Sequence, residues 1–128
     1  NVRNLDATTF YGSQYLKYPF STDYWGTRNY LNQVAAGSLS VAPYNETHWN
    51  NPRFVSLYNE ALRTANVKKR CALVHEMQKI EYTDGGYIVW GFYNLVDAYS
   101  PKVVGFQPSK GTLPLGGYGN AFRTIAFK

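Results

Sequence analysis

An α/β fold, with a mixed sheet and a packed helical pair, is what this 128-residue sequence predicts. Three observations carry that expectation. Apolar residues recur at helical spacing over 52–62 and again over 67–80, each time behind an asparagine placed to cap the segment. A near-continuous run rich in β-branched and aromatic residues then fills 87–99, behind a Gly-Gly stop, and reads as a strand buried on both faces. Hydrophobic residues make up 45% of the chain, which argues against disorder and for one domain spanning 1–128 with a sizeable core.

Taken in order, residues 1–6 read as a short strand. Residues 7–18 carry Phe10, Tyr11, Tyr15 and Leu16, but Gly12 weakens a helix and Pro19 ends the segment. A strand is predicted over 20–25 and broken by Gly26. Tyr30, Leu31, Val34 and Ala35 favour a short helix over 28–36, with Gly37 as its C-terminal stop. A polar loop covers 38–49. Asn51-Pro52 is a strong helix start, and Phe54, Leu57, Tyr58, Ala61 and Leu62 form a buried stripe behind it. Ala65-Asn66 breaks that helix, and Asn66 caps the next one. There the stripe is Leu73, Val74, Met77 and Ile80, and Asp84-Gly85-Gly86 ends it. So short a link predicts a helical pair. Beyond the long run, 103–106 reads as a shorter strand, 111–120 as a Gly-rich loop and 122–127 as a terminal strand.

Composition narrows the function classes. The chain has 12 Tyr, 7 Phe and 3 Trp. Such rings suit binding surfaces, although their ordinary place is the core, and most are expected there. The net charge of +5 comes from scattered residues, with Lys68-Lys69-Arg70 the one cluster, so the basic stripe of a nucleic-acid binder is missing. The single cysteine rules out an internal disulfide and is expected to be buried. No apolar run is long enough to span a bilayer.

Catalytic patterns are absent. His48 and His75 have no metal-ligand spacing with Cys71 or a carboxylate, so neither a metal nor a cofactor is expected. Gly116-Gly117-Tyr118-Gly119 superficially resembles a phosphate loop but lacks the Lys-Ser/Thr that such loops need. No Ser-centred nucleophile elbow is present, and the chain is not expected to be an enzyme. One constellation remains. Asp23-Tyr24-Trp25-Gly26-Thr27-Arg28 sets a carboxylate, two aromatic rings and a guanidinium at the end of a predicted strand, where open α/β sheets bind ligands. Trp25 can cover an apolar ligand, Asp23 can pair with an amine, and Arg28 can grip a carboxylate. The same residues equally allow Trp25 in the core and Asp23–Arg28 as a surface ion pair.

The order Trp25-Gly-x-Arg28, Asn45-Glu-Thr-x-Trp49-x-Asn51-Pro52-x-Phe54, a helical pair with Arg70 and Gln78, then Asp84-Gly85-Gly86 and an apolar strand resembles the extracytoplasmic solute-binding proteins of family 5. Those proteins deliver peptides, nickel and related solutes to ABC importers, and the likeness runs over roughly 20–106. It departs from the family at Asn29-Tyr30-Leu31-Asn32, where an Asp is common, and at Val55, where the first helix usually carries one. The resemblance implies the C-terminal part of a periplasmic-binding-protein type II lobe, within a longer two-lobed receptor that closes on its solute. It further implies an oligopeptide ligand, a membrane permease as partner, a periplasmic or otherwise extracytoplasmic location, and no nucleic acid. Asp23 would meet the ligand's amino group and Trp25 would line the pocket, with Tyr24 and Arg28 beside them. The alternative expectation is a solute-sensing regulatory module of the same fold joined to another domain. A lone lobe fragment is also expected to expose apolar surface and to self-associate or bind ligand weakly.

Overall fold

The computed structural model describes residues 1–94, 96–107 and 120–128, and of residues 120 and 121 it describes the backbone. Two compact units are present, Asn1–Ile88 and Val89–Lys128. The chain is a small, helix-rich mixed structure with a two-stranded antiparallel sheet.

The first unit is organised by its helical pair. Helix α1 (Ala7–Phe10) is a single turn whose N-cap Asp6 accepts from the Thr9 amide, so the opening residues cap a helix instead of forming the expected strand. Helix α2 (Tyr30–Gln33) starts on Asn29 and continues into a π-helical turn over Val34–Ser38. Helix α3 (Pro52–Arg63) begins as its sequence predicts: the Asn51 side chain accepts from the Phe54 amide at 3.0 Å, and Pro52 occupies the first turn. Helix α4 (Val67–Asp84) is capped in the same way by Asn66, which accepts from Lys69 at 2.9 Å.

Helices α3 and α4 are tied at both ends. Trp49 Nε1 and Asn51 Nδ2 both donate to Asp84 Oδ2, at 3.1 and 3.0 Å, so the start of α3 is fixed to the end of α4. Arg70 Nη1 donates to the Thr64 carbonyl at 2.9 Å, closing the link between the helices. The ion pairs Arg53–Glu76 (2.7 Å) and Lys69–Glu60 (3.2 Å) are exposed, and such pairs contribute about 0–1 kcal/mol each. The main stabilisation is burial. Phe54 and Leu57 from α3 meet Met77 from α4, with Val34 and Leu39 from the π-turn region, in one core, and Ala61 of α3 is buried as well. Fully burying such side chains contributes about 1.5–3 kcal/mol apiece. Tyr30, Trp49, Tyr58, Leu73 and Ile80 pack around that core, while Leu62, expected in the stripe, is largely exposed.

In the second unit, β1 (Val103–Val104) pairs antiparallel with β2 (Ala126–Phe127), with Val103 opposite Phe127 and Val104 opposite Ala126. Gly105 sits at φ 78°, and a Cβ there would collide with the Thr124 carbonyl oxygen.

Several expectations are corrected. Residues 20–25 form no strand, so Trp25 lies in an irregular segment and not at a strand end. Residues 87–94 and 96–99 form no ladder either, and Leu95 lies outside the described residues. Ile88, Trp90 and Phe92 are 77%, 81% and 95% exposed, the opposite of a strand buried on both faces. A strand needs a neighbour to take its backbone hydrogen bonds, and among the described residues the only ladder is β1–β2. Cys71 is exposed, because it lies beside the apolar stripe of α4 and not within it. Most of the described aromatic rings stay outside the core, and among them only Phe54 is fully buried. The Gly-rich residues 111–119, with the phosphate-loop likeness, lie outside the described residues.

Candidate functional site

The four residues singled out in the sequence line one groove. Asp23, Tyr24, Trp25 and Arg28 surround a cavity of about 230 Å³ together with Tyr11, Tyr15 and Tyr44. All belong to the first unit. The groove is therefore mostly aromatic, with one cation and one carboxylate at its rim.

Local structure explains these positions. The turn that follows α1 brings Tyr11 and Tyr15 together edge to face, with ring centroids 5.1 Å apart. The Tyr11 hydroxyl donates to Asp23 Oδ1, and the Tyr24 amide donates to the same oxygen at 2.7 Å. Asp23 is thus fixed from two sides. Trp25 is half-buried. It packs edge-on against Tyr44 at 5.9 Å, and the Arg28 guanidinium lies over its ring at 5.4 Å from the centroid, a cation–π contact. Arg28 meets Trp25 and not Asp23, so neither bland arrangement left open by the sequence is adopted.

Behind the rim stands Glu46, which sequence reasoning did not select. Tyr15 Oη donates to Glu46 Oε1 at 2.6 Å, and Trp25 Nε1 donates to Oε2 at 3.5 Å. Burial pushes the Glu46 carboxyl above the usual carboxylate range. Asp23 pushes it the same way, and the Tyr15 hydroxyl opposes them. Burial also raises the Tyr11 and Tyr15 hydroxyls, helped by the hydrogen bonds to Asp23 and Glu46 respectively. Tyr87, which donates to the Gly37 and Tyr44 carbonyls at 3.4 and 3.3 Å, is raised to about 12, chiefly by burial and then by Glu46.

The loop carrying Glu46 is held by Asn45. Its buried side chain donates to the Leu39 and Trp49 carbonyls at 3.2 and 2.9 Å and accepts from Thr47 at 3.1 Å. The next residues close onto the start of the chain. His48 adopts a positive φ of 53°, and its ring nitrogen meets the Leu16 carbonyl at 2.8 Å. The available signal for Glu46 was the spacing of a carboxylate within a tyrosine-rich sequence. That signal is weak, because the contacts join residues 21 and 31 positions apart.

A second groove, about 210 Å³, lies between α2 and α4 and is lined by residues that include Tyr30, Arg70, Cys71, His75 and Gln78. Its chief cation, Arg70, is already bonded to Thr64, and the Tyr30 hydroxyl donates to Glu81 at 2.6 Å. Among the described residues no group of three or more His, Cys, Asp and Glu side chains gathers to hold a metal ion. No described helix is long and apolar enough to cross a membrane. Comparison with protein-family models, curated proteins and solved structures returns no match.

Proposed function

We propose that the chain is a non-catalytic solute-binding unit whose Trp25 groove takes the end of a small zwitterionic solute, an oligopeptide in the first instance. The observation that carries this reading is the placing of Asp23 and Arg28 around one half-buried indole in a single groove. A carboxylate there can receive an ammonium group, and a guanidinium can receive a carboxylate bidentately. The aromatic walls supply apolar contact and exclude water. In this reading the chain is the C-terminal part of a type II binding-protein lobe, in a receptor that captures solute outside the cytoplasm for a membrane permease. Lobe closure would follow from a higher ligand affinity of the closed form. The resemblance over 20–106 supports that wider role, and the groove supports the ligand class.

Calorimetric titration of the chain with trialanine and its end-blocked forms tests the ligand class. Weakening on blocking either terminus is the expected result. Equal binding of blocked and free peptides, or binding only of an unrelated solute, would reject the oligopeptide assignment.

A further inference from the structure

Residues 89–94, Val-Trp-Gly-Phe-Tyr-Asn, belong to the second unit and join neither a helix nor the β1–β2 ladder. A stretch of this kind, rich in β-branched and aromatic residues and free of proline and charge, is the sort that pairs with an identical copy of itself. Its side chains are uncovered. Val89, Trp90, Phe92 and Tyr93, with Val96 and Tyr99 just beyond, are between 54% and 95% exposed. Gly91 has open space where a Cβ would stand. An aromatic side chain can bury about 150–250 Å², so these four rings offer roughly 440–730 Å². With the two valines the patch reaches roughly the 800 Å² that each partner brings to a standard interface. Apolar patches above a few hundred Å² mark interaction surfaces.

We infer that residues 89–94 are an interface between two copies of this chain, which pair there as antiparallel strands about a two-fold axis at Gly91. Such an axis makes every contact reciprocal. With Gly91 opposite Gly91, Trp90 of each copy stands opposite Phe92 of the other, and Val89 opposite Tyr93. Each of these is an aromatic–aromatic or aromatic–β-branched pair, the combinations that stabilise a ladder. An axis at Phe92 would instead set Trp90 against Asn94 and Tyr93 against Gly91, and both kinds of pair would be lost. The net charge of +5 lies wholly outside 89–94, so the pairing face itself is neutral. A two-stranded ladder is marginal by itself. The pairing is therefore reversible and depends on concentration.

Sedimentation velocity of the full chain across a wide concentration range tests this, with a reversible monomer–dimer equilibrium as the expected result. Trp90→Lys and Phe92→Glu should each weaken the dimer by about tenfold, because every change removes two cross-strand pairs. An equimolar mixture of the two variants should recover part of that loss, since the axis sets position 90 of one copy against position 92 of the other. Both positions are largely exposed, so the amide resonances of α3 and α4 should stay where they are in either variant. The register has its own test. Cys71, the one cysteine, is exposed and is first removed as Cys71→Ser. In that background Gly91→Cys should crosslink two copies under a mild oxidant, and Asn94→Cys should not. A monomer at every concentration, open-ended growth, or a dimer indifferent to Trp90→Lys overturns the inference. Crosslinking at position 94 in place of 91 overturns the axis. The Trp25 groove is untouched by any of these results.

Discussion

Tyr15 Oη donates to Glu46 Oε1 at 2.6 Å, and so closes a loop of chain between residues 31 positions apart. This bond secures the turn after α1 to the loop that precedes α3, and the groove lies between them. Its removal is the first expected outcome. Tyr15→Phe leaves a half-buried carboxylate short of a donor, at a cost of about 1–3 kcal/mol. Adding Glu46→Gln should recover part of that loss. Urea denaturation of the two single variants and the double variant measures the coupling, and purely additive losses would show that the bond contributes nothing.

The pH dependence of stability should carry two opposite signatures. Glu46 is raised in the folded state, first by burial and then by Asp23. A folded protein with a raised carboxyl binds protons more tightly than the unfolded chain. The stability contributed by protonated Glu46 is full below the unfolded value and is lost as pH rises through the folded one. Glu46→Gln should therefore gain on the wild type as pH rises through that window. Asp84 is lowered, first by the Asn51 hydrogen bond and then by that of Trp49. Its contribution is present above the unfolded value and is lost as pH falls through the folded one. Asp84→Asn should accordingly flatten the acid limb of a melting-temperature profile, and an unchanged acid limb would contradict this assignment.

The two helix caps should differ in worth. Asn66 satisfies one orphan amide of α4, so Asn66→Ala should cost about 1 kcal/mol. Asn51 caps α3 through one side-chain atom and donates to Asp84 through another. Asn51→Ala should cost more than Asn66→Ala, since it loses the second bond as well. Equal chemical-denaturation midpoints for the two variants would show that the tie to Asp84 carries no stability.

Gly105→Ala should disrupt the β1–β2 ladder. The positive φ disfavours any side chain, and the added Cβ would meet the Thr124 carbonyl. Amide exchange at Lys128, whose N–H donates to the Lys102 carbonyl at 2.9 Å across the two strands, should quicken by about tenfold or more, a change worth about 1.4 kcal/mol. The amides of α3 and α4 serve as the internal control.

What could be read from the sequence divides along a physical line. The α3–α4 pair was legible because its signals are local: Asn51 and Asn66 cap within three residues, and Phe54, Leu57 and Met77 follow the helical period. The strands over 20–25 and 87–99 were not, because composition reports apolar content and says nothing about whether a partner strand is present. Asp6 shows the same point on a smaller scale, since its carboxylate caps α1 where a strand was expected. At the groove, Asp23, Trp25 and Arg28 were legible because they are neighbours in sequence. Tyr11, Tyr15, Tyr44 and Glu46 reach them only through the fold.

The most direct test follows the backbone and indole resonances of the labelled chain during titration with trialanine. Saturable shifts concentrated on Tyr11, Tyr15, Asp23, Trp25, Arg28 and Tyr44 are expected, with the helical pair unmoved. Shifts that leave Trp25 untouched, or that gather instead on Arg70, Cys71 and His75, would contradict the assignment of this groove as the binding site.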